Sequence, residues 1–222
     1  MEITFNDNTT LFFVSDTHFN HKKLCSQEEV HFDRVRKYAY ATEMNDDIIK
    51  KWNETVTNND IVIFMGDFIM GTPNSKLMEE FTKYYNALNF KHMYMIRGNH
   101  DYELFKKIRK SETIFDRITL VDDYMEITYK DSRFLVQHYN YNTDDSIMGG
   151  DDTVLKDKIV HNEYYDFYLH GHTHLEEVGS DINQLFKMYQ YNMCWDAWYK
   201  PVSYKDILTQ DIIYKNKKAS YL

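Results

Sequence analysis

The chain has 222 residues, of which 43% are hydrophobic and 16% aromatic, and it carries a formal net charge of −9 at pH 7. This size suits one domain with a sizeable core, so we expect a single domain over residues 1–222. The negative charge argues against a long nucleic-acid track, and the two cysteines argue against a disulfide framework. An acidic N-terminus and the lack of any apolar run of roughly 18 residues predict a soluble, cytoplasmic protein.

The first predicted element is a strand. Leu11–Ser15 is a short, continuous apolar run, which is typical of a strand buried on both faces. Asp16 and His18 follow it, and residues two apart on a continuing extended chain point the same way. They would then offer one carboxylate oxygen and one imidazole nitrogen to a metal ion. The alternative is a polar turn that contains an incidental histidine.

A helix, a strand and a second helix follow. Residues 43–57 predict a helix with acidic residues in its first turn, namely Glu43, Asp46 and Asp47. Its apolar stripe, at a spacing of four, consists of Met44, Ile48, Trp52 and Val56. Ile61–Met65 predicts a second buried strand, which leads to Asp67. The next helix is expected to be capped by Asn74 or Ser75 and to bury Leu77, Phe81, Tyr84, Tyr85 and Leu88.

The third strand leads into the most suggestive stretch of the chain. Met93–Ile96 is followed by Gly98, Asn99, His100 and Asp101. Gly98 is expected to permit a turn, and Asp101 is expected to cap a helix over residues 102–110. Open α/β sheets bind ligands at the carboxyl ends of their strands. Asn99 and His100 should therefore lie at a ligand-binding edge.

After residue 111 the pattern changes from alternating strands and helices to consecutive strands. The predicted strands are residues 117–121, 124–129, 133–137, 167–169 and 187–193. His138 ends the third of them, and His170-Gly171-His172-Thr173-His174 follows the fourth. Residues 139–163 form a long excursion between these two histidine-bearing ends, and residues 206–213 finish the fold. This order predicts two packed sheets with helices outside.

Five strand ends therefore carry carboxylate, imidazole or carboxamide groups. This donor set, which lacks a thiolate, suits Mn²⁺, Fe or Zn²⁺, and Ni²⁺ is a further candidate. A pair of ions needs one ligand that reaches both. Asp67 follows the middle strand, and its two carboxylate oxygens make it the candidate bridge.

The order of these motifs resembles that of the calcineurin-like metallophosphoesterases, with small bacterial and phage members as the closer match. The resemblance extends from about residue 11 to 208 and implies a four-layer αββα sandwich of two mixed β-sheets flanked by helices. The matching stretches are residues 15–21, 43–45, 52–53, 66–68, 97–101, 170–174 and 198–202. For a phage-encoded protein the location would be the host cytoplasm.

The resemblance also implies a dinuclear site for two divalent metal ions, with Mn²⁺ as the first choice. The first metal would be held by Asp16, His18, Asp67 and His174. The second would be held by Asp67, Asn99, His138 and His172, with Asp67 bridging. His100 would face the substrate as general acid or as a charge stabiliser for the leaving oxygen. His21 is our candidate for contact with the substrate phosphate.

The remaining histidines and two arginines are expected to lie outside the ligand set. We expect His31, His92 and His161 to be solvated and His170 to be packed. Arg36 and Arg97 could contact phosphate or form surface ion pairs. Departures from the family pattern, which concern the shape of the substrate site, occur at Asn20, Asn140 and Cys194.

Function follows from the implied ion pair. Two ions would bridge and activate a water that attacks the phosphoryl group in line. We expect a phosphodiesterase, rather than a phosphomonoesterase, whose partner is a small nucleotide-like substrate and neither a membrane nor a long nucleic acid. The alternatives are a metal-dependent nuclease or RNA-end-processing enzyme, and a non-catalytic binding module. Residues 139–163 are either a lid that favours small substrates or a solvated excursion.

Overall fold

The computed structural model describes residues 1–27, 36–113, 115–140, 165–181 and 189–219. The strands in these ranges are β1 (Glu2–Phe5), β2 (Leu11–Val14), β3 (Ile61–Phe64), β4 (His92–Ile96), β5 (Ile118–Val121), β6 (Tyr124–Tyr129), β7 (Ser132–Gln137), β8 (Phe167–His170), β9 (Gly179–Asp181), β10 (Tyr189–Asn192) and β11 (Val202–Ser203). The helices are α1 (Ala41–Thr55), α2 (Leu77–Ala87), α3 (Tyr102–Lys110), α4 (Trp195–Trp198) and α5 (Tyr204–Ala219).

The strands form two mixed sheets. Among the described residues, one sheet has six strands in the order β1-β6-β7-β8-β10-β9, and the other has five in the order β11-β2-β3-β4-β5. In the five-stranded sheet, β2 to β5 are parallel and β11 is antiparallel. Helices flank the sheets, so the predicted α/β sandwich of two mixed sheets is confirmed.

Strand β2 shows why the central strands are continuous apolar runs. Phe12 and Val14 point into a core between the five-stranded sheet and the helices α1 and α2. Leu11 and Phe13 point the other way, into a second core between the two sheets. Because side chains alternate along a strand, a strand between two cores needs an apolar residue at every position.

Helix α1 packs as its periodicity predicts. All four residues of the apolar stripe are fully buried: Met44, Ile48, Trp52 and Val56. The helix begins at Ala41 and ends at Thr55, two residues earlier than expected at each end. Glu43 therefore lies in its first turn, whereas the placement of Asp46 and Asp47 there was wrong.

Two smaller predictions were also wrong. Helix α2 has Lys76 at its N-cap position without a side-chain capping bond, so neither Asn74 nor Ser75 caps it. His92 is half-buried on β4, and its Nε2 lies 2.9 Å from Thr119 Oγ1, so it is not a solvated histidine.

Some expectations lie outside the described residues. His31, His161 and almost all of the excursion over residues 139–163 fall there, and only Tyr139 and Asn140 of that excursion are described. None of the described helices combines the length and the apolar content that a membrane crossing requires.

The topology brings the functional strand ends to one edge. Strands β2, β3 and β4 are parallel neighbours in one sheet, and β7, β8 and β10 are parallel neighbours in the other. A parallel bridge between Ser15 and Cys194 joins the two sheets where these strands end. The loops that follow the six strands therefore meet in one place.

Candidate metal centre

The predicted ligands share an unusual backbone conformation. Five of the seven have positive φ, at 56° for Asp16, 49° for His18, 59° for Asp67, 69° for His172 and 50° for His174. Each left-handed non-glycine residue costs of order 1–3 kcal/mol, and such strain clusters at functional sites.

Asp16 and His18 do not lie on a continuing extended chain, so that prediction was wrong. Strand β2 ends at Val14, and neither residue continues it in extended form. Asp16 and His18 are themselves left-handed, with Thr17 between them, and this local turn brings their side chains together instead. His18 Nε2 lies 3.5 Å from Asp16 Oδ1.

The first predicted ligand set is tightly gathered. Both His18 Nε2 and His174 Nε2 lie 3.5 Å from Asp16 Oδ1, and the two nitrogens are 3.0 Å apart. Donor atoms about 2.0–2.2 Å from one ion are about 3–3.5 Å from each other. These three side chains have the spacing that a single divalent ion requires.

The second predicted set converges on a carboxamide. Asn99 Oδ1 lies 2.9 Å from His138 Nε2 and 3.0 Å from His172 Nδ1. The other ring nitrogen of His138, Nδ1, donates a hydrogen bond of 2.8 Å to the carbonyl oxygen of Met65. Since a carbonyl accepts, this contact places the proton on Nδ1 and leaves Nε2 available as a ligand.

Asp67 lies between the two sets. Its Oδ2 is 3.6 Å from His18 Nε2 in the first set and 3.6 Å from His138 Nε2 in the second. Its other oxygen, Oδ1, accepts a hydrogen bond of 2.9 Å from the backbone N–H of His100. The structure therefore brings all seven predicted ligands together and puts Asp67 in the position that a bridging ligand would occupy.

The electrostatics of the site fit a divalent cation. Burial, together with the charges of Asp16 and Asp101, raises the pKa of Asp67 to about 9. Burial lowers the pKa of His18 to about 3 and that of His172 to about 4. Neutral imidazole is the form that binds metal. Asp16 Oδ1 is buried and accepts no hydrogen bond from the described residues, so a cation would complete its environment.

Gly98 is required by close approach rather than by its own turn conformation. A Cβ atom at this position would lie 2.1 Å from Asp67 Oδ1. The positive φ belongs to Gly66, at 94°, in the loop after β3. The two loops can touch only because both positions lack a side chain.

Asp101 joins these loops and does not cap helix α3. It occupies the N-cap position, but its carboxylate makes no capping bond. Instead it accepts hydrogen bonds from the backbone N–H groups of Asp67 at 2.7 Å, Phe68 at 3.1 Å and Gly98 at 2.9 Å. The side chain is fully buried, so the predicted capping role was wrong and a loop-fixing role replaces it.

Sequence reasoning missed Asp196 and misplaced Arg36. Asp196 Oδ2 lies 2.9 Å from His174 Nδ1, and the guanidinium of Arg36 donates to both Asp196 oxygens at 2.8 Å. Arg36 also donates to the carbonyl oxygens of Asp16 at 2.6 Å and Thr17 at 2.8 Å. It is 3% exposed, so it neither forms a surface pair nor reaches a phosphate.

This buried pair orients the His174 imidazole. Burial alone would raise the pKa of Asp196, but the Arg36 charge and the hydrogen bonds from His174 and Arg36 hold it below the usual range. An ionised carboxylate at Nδ1 keeps the proton on that nitrogen and directs Nε2 towards Asp16. In the sequence, the only indication of the role of Asp196 is that a carboxylate follows strand β10 by a few residues.

The two predicted substrate-facing histidines differ in exposure. The His100 side chain is 40% exposed, and its Nε2 lies 4.0 Å from Asp67 Oδ2. His21 is 5% exposed, and its ring centroid lies 5.2 Å from that of His18. His100 therefore lies at the mouth of the site, whereas His21 lies in its wall. His170 is buried, as expected, with Nδ1 2.9 Å from the Gly171 carbonyl oxygen.

The structure explains the departure at Asn20. Its φ is 68°, a conformation that asparagine tolerates better than other non-glycine residues. Its Nδ2 donates to Thr72 and Glu80, and its Oδ1 accepts from Asn45 and Tyr84. The side chain thus holds the loop that carries His18 and His21 against helices α1 and α2.

Cys194 contacts the site without joining the ligand set. Its Sγ lies 3.2 Å from Asp16 Oδ2, where a thiol can donate a weak hydrogen bond. Burial, together with the Asp16 and Asp196 charges, raises the pKa of this thiol well above its usual value. The sulfur is therefore a neutral support for Asp16.

The chain is similar to known proteins in sequence and in fold. An uncharacterized protein of Methanocaldococcus jannaschii is 36% identical over 94 residues, which are 41% of this chain and 46% of that protein. The chain thus matches about half the length of this curated relative. A protein of unknown function from Aquifex aeolicus has a similar fold, with a TM-score of 0.66, 23% identity and coverage of 91% of this chain and all of that one.

A protein-family model identifies the family of this chain. The model of the calcineurin-like phosphoesterases matches residues 9–176, which include every predicted ligand. Members of such a family need divalent metal ions, and the Asp16, His18 and His174 group and the Asp16, Asp67 and His138 group are arranged to hold them. The chain belongs to the calcineurin-like phosphoesterase family.

Proposed function

We propose that this protein is a metal-dependent phosphoesterase, specifically a phosphodiesterase that hydrolyses a small nucleotide-like substrate and uses two Mn²⁺ ions. The observation that carries the proposal is the placement of Asp67 Oδ2 at 3.6 Å from a histidine of each ligand set. The first ion would be held by Asp16, His18, Asp67 and His174, and the second by Asp67, Asn99, His138 and His172. When bound, two such ions act as Lewis acids on phosphoryl oxygens and lower the pKa of water.

The protein's own groups supply the rest of the chemistry. His100, half-exposed at the mouth, would donate a proton to the leaving oxygen or offset its charge, an interaction made only in the transition state. His21 would contact the phosphate from the wall of the site. Asp101 holds the loops of Asp67 and His100 in register through its three backbone hydrogen bonds.

The side chains around the proposed metal ions support a diester over a monoester substrate. A phosphomonoester is a dianion at neutral pH, and proteins commonly recognise such groups with arginine. Arg36 is engaged by Asp196 and two backbone carbonyls, and Arg97 lies 3.8 Å from Asp122. Among the described residues, the mouth therefore offers imidazoles and no uncommitted arginine, which suits the single charge of a diester.

Removal of metal tests the proposed activity. Chelator should abolish hydrolysis of bis(p-nitrophenyl) phosphate, and Mn²⁺ should restore it, because both ligand sets lose their cations and the carboxylates repel each other again. The rate with the diester should exceed that with p-nitrophenyl phosphate at least tenfold. Unchanged turnover in protein shown to contain almost no metal would contradict metal dependence, and equal rates with the two substrates would contradict the diesterase preference.

Asp196→Asn tests the role of the buried pair. The amide cannot fix the proton on His174 Nδ1 as a carboxylate does, so affinity for Mn²⁺ should fall by about 10–100-fold, the usual effect of losing such a partner. Titration calorimetry measures the affinity, and thermal melting of the metal-free proteins reports any loss of folding. Asp206→Asn, which makes the same change at the start of α5, is the control. Equal Mn²⁺ affinity of Asp196→Asn and the natural protein would contradict the role.

A further inference from the structure

A basic groove runs along helix α3. It encloses a cavity of about 210 Å³. Its lining residues, which we call the α3 groove, are Arg97, Tyr102, Phe105, Lys106, Arg109 and Lys110.

The α3 groove begins beside the metal centre. Arg97 immediately precedes the Gly98–Asp101 loop, and Tyr102 immediately follows it. The exposed His100 lies in that same loop, two residues from Tyr102. Asp101, the N-cap residue of α3, accepts a hydrogen bond of 2.7 Å from the Asp67 backbone N–H, so the helix and its groove begin at the loops that carry the ligands. From Tyr102 to Lys110 the helix extends about 12 Å at 1.5 Å per residue. This is enough for a nucleotide unit beyond a scissile phosphate, and too short for a long strand.

The charge of the α3 groove is opposite to that of the chain. The formal net charge of the whole chain is −9, but the described residues that line the groove include four cationic side chains and no acidic one. The cations do have acidic neighbours: Arg97 and Arg109 contact Asp122 at 3.8 and 2.8 Å, and Lys106 lies 3.5 Å from Glu103. Four positive charges against these two carboxylates leave the groove attractive to an anion.

The α3 groove also offers an aromatic surface. Tyr102 is 60% exposed, so its ring is largely open to a ligand. The Lys106 ammonium lies 6.0 Å from the Tyr102 ring centroid, and the Arg109 guanidinium lies 5.7 Å from the ring of the buried Phe105. Basic groups interleaved with an exposed aromatic ring are the usual means of holding a nucleotide by its phosphate and its base.

We propose that the α3 groove binds a second phosphate group of the substrate and the base next to it. The substrate would be a dinucleotide that carries a terminal phosphate, with its internal phosphodiester at the metal centre. This inference deepens the proposed phosphodiesterase function and rests on it. Lys106 and Lys110 hold the terminal phosphate, and Tyr102 stacks on the base.

The test compares three substrates and two double variants. The substrates are bis(p-nitrophenyl) phosphate, thymidine dinucleotide without a terminal phosphate, and the same dinucleotide with a 5′- or 3′-phosphate. Lys106→Gln/Lys110→Gln removes two charges from the α3 groove. Lys50→Gln/Lys83→Gln, on helices α1 and α2, removes two charges from exposed side chains elsewhere and is the matched control.

The natural protein should hydrolyse one terminally phosphorylated dinucleotide with a kcat/KM about tenfold above that of the unphosphorylated one. The groove variant should lose this preference, the control variant should keep it, and both should hydrolyse the aryl diester within twofold of the natural protein. Tyr102→Ala should lower kcat/KM for both dinucleotides. Equal use of the dinucleotides by the natural protein, an unchanged preference in the groove variant, or a higher kcat/KM for a ten-nucleotide strand would overturn the proposal.

Binding to metal-free protein separates this inference from the proposed activity. Calorimetry should show that the terminally phosphorylated dinucleotide binds the natural protein and the control variant about tenfold more tightly than the groove variant. If no diester is hydrolysed at all, the proposed function fails, but the binding measurement still tests the α3 groove. Equal affinities of the three proteins for the terminally phosphorylated dinucleotide would refute phosphate binding in the groove.

Discussion

Asp67→Asn is expected to lower the metal content and the rate of phosphodiester hydrolysis together. The Asp67 carboxylate lies 3.6 Å from a histidine of each ligand set, so its neutralisation weakens both sites at once. Stabilisation of the transition state by metal is worth several kcal/mol, and each 1.36 kcal/mol is a factor of ten in rate. We therefore expect a loss of about 10³-fold or more at limiting Mn²⁺. Metal analysis and kinetics with bis(p-nitrophenyl) phosphate measure the two effects.

Asp60→Asn is the matched control for this variant. Asp60 is also buried and lies just before the same strand β3, at the end remote from the metal centre. Its carboxylate accepts hydrogen bonds from the backbone N–H and hydroxyl of Thr57, which an amide oxygen can still accept in part. This variant should keep both metals and its rate. Full occupancy of two Mn²⁺ ions in Asp67→Asn would contradict the bridging role.

His100→Ala should separate catalysis from metal binding. The His100 imidazole is half-exposed, and its Nε2 is 4.0 Å from Asp67 Oδ2. The Nε2 atoms of His18, His138 and His174 lie closer to a ligand carboxylate, at 3.5 or 3.6 Å. The variant should bind two metal ions and lose roughly 10²–10⁴-fold in kcat, the usual contribution of a general acid–base group. The loss should be smaller for an aryl diester, because its leaving group needs less protonation.

His92→Gln provides the control on the same strand. His92 lies at the start of β4, whereas His100 follows the end of that strand, and its contact is the hydroxyl of Thr119. Its replacement should leave metal content and kcat within about twofold. Loss of metal from His100→Ala, with folding intact by circular dichroism, would refute its assignment as a group outside the ligand set.

The periodicity of the chain was informative wherever burial alone decided the structure. The stripe of Met44, Ile48, Trp52 and Val56 and the apolar run of β2 led to correct elements because each reports the side on which a core lies. The residues after the buried strands could be predicted as one cluster for a related reason. Parallel strands end at one edge, so their following side chains must meet whatever the details of the loops.

Local rules failed where a distant part of the chain offered a better partner. Asp101 and Asn74 each follow the sequence pattern of a helix cap, yet neither caps a helix. The Asp101 carboxylate satisfies three buried N–H groups in the loops after β3 and β4. A buried unpaired N–H costs more free energy than an uncapped, hydrated helix end. The Asp101 carboxylate therefore bonds to the loops and not to the first turn of α3.

The residue types at the metal edge, namely the carboxylates, imidazoles and carboxamide that follow buried strands, could be identified from the order of the chain alone. The directions in which these side chains point could not, because they depend on contacts between distant loops. The left-handed backbone of Asp16, His18 and Asp67 and the contact of Asp196 with His174 depend on loops from two sheets pressing on each other. Strained conformations and buried ion pairs persist only where the surrounding packing compensates their cost, and no short stretch of sequence contains that packing.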